Sequence, residues 1–262
     1  MTDAAGPDEA LAGLVGAIGS PAFPARFLAA MRAIAGVELC SVFLREPGDT
    51  VSLVFAEGQA EMPEFPVRAS LEYARNYWRS DHQITRLSRS GRKAPVVVRN
   101  RAADIADPAW RAACYERAGV RERLSIFWPG PPTLVANGYR TAIREPFSAD
   151  DIARLERHAA LLMAAVERHH SLGAAHVHSE AGVAQSLLAL RCGLSAREAE
   201  ISAAMILGET QEEIAERKRL SHGSVVTYRR RAYGKLGVGN RRDLQRLHRG
   251  IIAGVSVDTS GT

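Results

Sequence analysis

The sequence predicts an α+β chain. Residues 1–170 read as an α/β sandwich on an antiparallel sheet. Residues 192–250 read as a compact unit of four short helices, with 171–191 as a linker and 251–262 as a tail. Three observations predict this. Apolar periodicity switches repeatedly between helical and strand-like over the first part. Helix start and stop signals crowd the last quarter. The excess positive charge is confined there too: residues 192–250 hold 12 Lys and Arg against 7 Asp and Glu, while the rest of the chain is balanced. So localised a basic patch selects a polyanion partner, either nucleic acid or an anionic membrane surface.

In the first part, Leu11, Leu14, Val15 and Ile18 recur at helical spacing, as do Phe27, Leu28, Met31 and Ile34. VELCSVFL and VSLVFA flank the turn residues EPGDT, the pattern of a hairpin. A helix is expected near Ser70–Arg79, then a short strand at PVVV. In DPAWRAACYERAG, Asp107 is the expected N-cap, Pro108 the first helical residue and Gly119 the stop. LSIFW and LVANGYRTAI form a second strand pair around PGPP. Ser148 and Asp151 start the closing helix, whose apolar stripe is Ile152, Leu155, Ala159, Leu162, Met163 and Val166. Segment 171–191 mixes small, polar and apolar residues and reads as a linker with room for one short helix.

From Leu194 onward each helix is punctuated. Ser195–Glu198 and Thr210–Glu213 are capping boxes. Ser221 caps a third helix that stops at Gly237, and Asn240 caps a fourth that stops at Gly250. Four helices joined by such tight turns make a helix-turn-helix unit. On a 100° wheel, Val225, Tyr228, Ala232 and Leu236 of the third helix form one buried arc. Val226, Thr227, Arg230 and Gly234 lie opposite, with Arg231 at the edge. Arg229 falls near the buried arc, where it must snorkel or pair with a carboxylate. Arg230 therefore suits a bidentate contact to guanine in a major groove, with Val226 and Thr227 touching neighbouring base edges. Thr210, Gln211, Lys218, Ser224, Arg231 and Lys235 are the expected phosphate contacts. A membrane-surface helix would lack neighbouring helices to bury its apolar edge, so double-stranded DNA is the expected partner.

The same residues carry a family resemblance. LSAREAEI, the following Gly208, EEIA, and LSHGSVVTYRRRAYGKLGVGNRRDL closely resemble the LuxR-type helix-turn-helix domain of bacterial transcription regulators over about Leu194–Leu247. The resemblance implies a DNA-binding homodimer with the third helix in the major groove. The family's groove positions fall on Val226, Thr227 and Arg230, and Leu244, Leu247 and Ile251 of the fourth helix become the candidate dimer contacts. Three positions depart from the pattern. Val226 stands where Lys or Arg is usual, Tyr228 where His is frequent, and Ser202 where a larger apolar residue fills the core.

For the first part, no GxxxxGK[ST] loop and no receiver-type acidic cluster is present, which excludes an ATPase or phosphoacceptor module. The mixed pattern resembles lactone-binding or GAF/PAS-like sensor domains. Tyr73, Tyr77, Trp78, Asp81 and Trp110 resemble a lactone-pocket signature, but Asp81 follows Tyr77 too closely and His82 replaces a Pro. The effector is accordingly an acyl-homoserine lactone, another metabolite, or none, in which case this domain serves dimerisation alone; ordinary core packing explains the aromatics equally well.

The polar, acidic start is no targeting peptide, no apolar run is long enough to span a bilayer, and Cys40, Cys114 and Cys192 have neither disulfide nor zinc spacing. A cytoplasmic protein is expected. His169, His170, His176 and His178 cluster near Glu167, but linker histidines rarely converge on a metal. No GxSxG or HExxH motif suggests an enzyme, and no cofactor is expected.

Overall fold

The computed structural model describes residues 6–46, 50–58, 64–130, 133–173 and 179–252, without the side chains of 46, 50 and 249–252. The chain divides between His169 and His170 into two compact units.

The first unit is built on a five-stranded antiparallel sheet: β1 (Leu39–Glu46), β2 (Thr50–Gly58), β3 (Val96–Arg101), β4 (Val120–Trp128) and β5 (Thr133–Thr141), in the order β2-β1-β5-β4-β3. β1 buries every residue from Leu39 to Leu44, so both faces of the sheet are covered. The register Val42↔Phe55 and Phe43↔Leu53 sends Phe55 to one face and Phe43 to the other.

On the Phe55 face lie α1 (Pro7–Gly16), α2 (Phe23–Ala35) and, through His169, α6 (Ala149–Gly173). Phe23 and Phe27 of α2 pack edge-on against Phe55, and His169 of α6 stacks on Phe23 with ring centroids 4.0 Å apart. The expected stripe of α6 is buried from Leu155 to Val166, with Ile152 half-buried. Its start forms as expected: the Ser148 amide donates to Asp151, and the Asp151 amide donates to the Ser148 hydroxyl. Where α2 ends, Gly36 adopts a left-handed φ of 61°, and a Cβ there would collide with the guanidinium of Arg140, which donates to the Ala35 carbonyl.

The Phe43 face carries α3 (Phe65–Glu72), α4 (His82–Ser88) and α5 (Pro108–Cys114). The single helix expected near Ser70–Arg79 is broken. After α3 comes a π turn at Tyr73–Tyr77, then a 3₁₀ turn at Trp78–Ser80. Asp81 restarts the chain by accepting the Ile84 amide and capping α4, a helix the apolar spacing did not show. Asp107 caps α5 as expected, accepting from the amides of Ala109 and Trp110. α5 ends before Gly119, and a 3₁₀ turn fills the interval until Gly119 takes a φ of 59°.

The second unit holds α7 (Glu180–Ala189), α8 (Ala196–Ile206), α9 (Gln211–Lys218), α10 (His222–Leu236) and α11 (Arg241–Ile252). Both capping boxes close, at Ser195/Glu198 and Thr210/Glu213. Ser221 caps α10, Gly237 ends it in the left-handed conformation, and Asn240 accepts the Asp243 amide. α11 runs through the expected stop at Gly250 to Ile252. Much of the expected linker is α7, which buries Val183, Ala184 and Leu187 and packs on α8. Its apolar residues are the reason: left in a flexible linker, they would face water.

Ser202 of α8 is fully buried and its hydroxyl has no hydrogen-bond partner among the described residues. Ser202→Ala is therefore expected to stabilise the protein by about 1 kcal/mol, since it removes an unsatisfied buried polar group. The urea midpoint should rise at unchanged slope; a lower midpoint would refute this reading.

Candidate nucleic-acid interface and ligand cavity

α10 divides as the wheel requires. Val225, Ala232 and Leu236 are buried, and Tyr228 is half-buried. Arg230 and Arg231 are exposed, while Val226 and Thr227 are half-buried beside them. The Thr227 hydroxyl donates to the Gly223 carbonyl, which fixes its rotamer. Ser224 shares a hydrogen bond with Ser221, 2.8 Å between hydroxyls. Arg229 snorkels: its guanidinium lies 5.9 Å from the Tyr233 ring centroid.

Two expected phosphate contacts read differently. Lys218 is largely buried and bridges Glu180 at 2.6 Å and Glu200 at 3.4 Å. Lys235 donates to Glu198 at 2.6 Å. Both therefore brace the helices; Lys218 is shielded by its two carboxylates, whereas Lys235 stays more than a third exposed and keeps donors for a phosphate. At α9, the Thr210 amide donates to Glu213, whose own amide donates to the Thr210 hydroxyl; the capping box has already occupied Thr210. Gln211 stands next to it with its Oε1 shielded and without a partner among the described residues.

Two of the expected dimer contacts are already covered within one chain. Leu244 and Leu247 are buried, and α11 packs on α7 and α8, so these leucines belong to their own unit's core. The side chain of Ile251 lies outside the described residues. So do His176 and His178, and among the described residues no cluster of three His, Cys, Asp or Glu could hold a metal. No helix among them is long and apolar enough to cross a membrane.

The first unit contains a cavity of about 30 Å³, the space of about one water. Tyr73 and Trp110 line it, as do Cys114, Tyr115, Arg123 and Tyr139. Asp81 stands behind the wall: it accepts from the Tyr73 hydroxyl at 3.0 Å and from Arg123 at 2.7 Å. Trp78 is buried elsewhere, with the guanidiniums of Arg79 and Arg45 at 4.4 and 5.2 Å from its ring. Tyr77 is half-buried and reaches Glu72 at 3.5 Å. Of the five expected ligand residues, two face the cavity, one braces it, and two lie apart.

Arg123 is the residue the sequence reading missed. It is 1 % exposed, an extreme value for an arginine, and pairs with an Asp81 that is 2 % exposed. Its position in RERLSIFW, at the start of an apolar run, was the available signal. Three buried donors on the cavity wall have no hydrogen-bond partner among the described residues: Trp110 Nε1, the Tyr115 hydroxyl and Arg123 Nε. Burial pushes the Cys114 thiol up to about 12 and the Tyr73 and Tyr115 hydroxyls well above the usual phenol range, so all stay protonated at neutral pH. The wall thus offers hydrogen-bond donors to acceptor oxygens.

Residues 193–248 match the family described as bacterial regulatory proteins, luxR family, and form a LuxR-type helix-turn-helix domain. That domain supports a DNA-binding transcription regulator. No curated protein matches the chain. Among solved structures, the chain is similar to the N-acylhomoserine lactone dependent LuxR family transcription factor CepR2 from Burkholderia cenocepacia. The two share 19 % identity over 62 % of this chain and 95 % of that one, with a TM-score of 0.45. It is also similar to Escherichia coli SdiA, at 18 % identity over 83 % and 84 % of the two chains with a TM-score of 0.37. The VqsR LBD domain from Pseudomonas aeruginosa aligns at 15 % identity over 62 % and 94 %, with a TM-score of 0.44.

Asp81→Ala leaves Arg123 charged, buried and unpaired, and is expected to cost about 3–5 kcal/mol. Chemical denaturation of the purified protein checks this; a loss under about 1 kcal/mol, the size of an exposed pair, would show that Arg123 is solvated.

Proposed function

We propose that the chain regulates transcription in the cytoplasm as a homodimer that reads double-stranded DNA with α10 and answers a small molecule in its N-terminal unit. Arg230 meets a guanine edge. Val226 and Thr227 pack beside it, an apolar contact where a basic residue is usual in related domains. Arg231, Ser224 and Gln211 approach the backbone. The observation that carries this reading is the sorting of cations. Arg197, Arg217, Lys218, Lys235 and Arg246 hold carboxylates, whereas Arg230 and Arg231 stand exposed with no ion-pair partner among the described residues. A charge left unpaired beside apolar and hydroxyl groups on one helix edge suits groove contact.

The effector takes its place from the three unpartnered donors, Trp110, Tyr115 and Arg123. They suit a ligand carrying carbonyl or carboxylate oxygens, a class that includes the acyl-homoserine lactones. A cavity of about 30 Å³ admits such a molecule only if α3 and α5 move outward. That small volume equally supports a second reading, in which the N-terminal unit dimerises and binds no effector.

Selection from random duplexes with the purified protein supplies the operator. Arg230→Ala should then weaken the selected site by about 1–3 kcal/mol and relax base choice at one position; unchanged affinity and base choice would refute the groove assignment. Thermal unfolding with acyl-homoserine lactones and carbonyl-bearing metabolites separates the two readings. A stabilisation of a few degrees that Trp110→Phe abolishes supports the sensor, and no response to any of them supports the dimerisation domain.

A further inference from the structure

The second unit contains a cleft of about 660 Å³ between the start of α9, the middle of α10 and the start of α11. Three guanidiniums line it, those of Arg229, Arg230 and Arg241, together with Gln211, Tyr233 and Asn240. None of the three arginines has an ion-pair partner among the described residues, whereas the two lysines of this unit, Lys218 and Lys235, each hold a carboxylate. Arg229, which the wheel put near the buried arc, is held over the Tyr233 ring and so opens onto this cleft. Arg241 is half-buried in the first turn of α11, where the helix dipole adds positive potential. Two carboxylates share the lining: Glu209 is neutralised by two bonds from Arg217, at 2.8 and 2.9 Å, and Glu212 faces the His222 ring at 3.5 Å.

We propose that this cleft seats one backbone phosphate of the bound duplex, clamped between Arg241 and Arg229 next to the base-reading Arg230. The assignment rests on the DNA reading above and extends it to two residues which that reading left without a role. The anion is a phosphate oxyanion that suits a planar, bidentate donor. Arg230, in the same lining, ties the two tasks together, since a phosphate fixed here sets how deep α10 enters the groove. Lys218 and Lys235 brace the helices, Arg229 and Arg241 grip the backbone, and Arg230 reads the base.

The test uses the full-length protein on its selected duplex and on a random duplex, each across a potassium chloride series. Arg241→Gln should weaken both duplexes by the same factor and lower the slope of log affinity against log salt by about 1. Arg229→Gln should act alike, and Arg241→Lys should retain the slope. Arg242→Gln, on the same helix but outside the cleft lining, should change less than either. An unchanged slope in both glutamine variants overturns the clamp while leaving Arg230's role standing. Because Arg229 and Arg241 are tested separately, misfolding of one variant, seen as a lost thermal transition, leaves the other to decide. Titration with inorganic phosphate at constant ionic strength separates the sources. Tight binding of free phosphate that Arg241→Gln abolishes, with the DNA slope unaltered, would make this a free-anion site and overturn the proposal. Failure of the wild-type protein to bind any duplex would sink the DNA reading together with the clamp.

Discussion

Glu198 holds the second unit in one arrangement. As the third residue of α8 it accepts the Ser195 amide at 2.7 Å, closing the capping box, and the same Oε2 accepts Lys235 at 2.6 Å from the last turn of α10. Burial alone would raise this carboxyl's pKa, but the bonds from Lys235 and Ser195 outweigh it and hold the group below the ordinary glutamate range. One carboxylate thus fixes where α8 begins and pins one end of α10. Val225, Ala232 and Leu236 bury the inner edge of α10, and with its end pinned the helix has no freedom to roll. Arg230 and Arg231 face outward as a consequence.

The same economy operates across the unit. Glu180 at the start of α7 accepts both Arg217 and Lys218 from the end of α9, at 2.6 Å each. Individually such partly exposed pairs contribute little. Their effect here is positional: acidic helix starts meet basic helix ends, in the sense the helix dipole favours. Of the cations that have no ion-pair partner among the described residues, Arg229, Arg230, Arg231 and Arg241 gather along α10 and the neighbouring turn of α11, while Arg219 ends α9 and Arg242 follows Arg241. The basic excess is therefore sorted into bracing charges and free ones, and only the free ones carry a field into solvent.

In the first unit the corresponding constraint is Asp81. It accepts Tyr73 and Arg123 and caps α4, which joins the broken helical stretch to the middle of β4. A buried pair of this kind is costly to form and costlier to leave half-made, so it specifies the arrangement more than it stabilises it. Tyr73, Trp110, Tyr115 and Tyr139 form a chain of rings whose successive centroids are 5.8 to 6.2 Å apart, and the cavity is the gap those rings leave.

Local signals in the sequence determined both capping boxes, the starts at Asp107 and Ser148, the β1–β2 hairpin, the stripe of α6 and the orientation of Arg230. Each depends on side chains within one turn or one hairpin of each other, so spacing alone states it. Tertiary structure decided the rest. Spacing cannot say whether a lysine is free, because its partner comes from another helix: Lys235 meets a carboxylate 37 residues away. Leu244 and Leu247 look equally suited to a dimer face and to a core, and only the packing of α11 on α7 and α8 assigns them to the core. Arg123 reads as a surface charge until the sheet and α4 close over it and bring Asp81 across 42 positions to meet it. Local chemistry is written in short intervals of chain, whereas charge pairing and burial depend on which distant residues the fold makes neighbours.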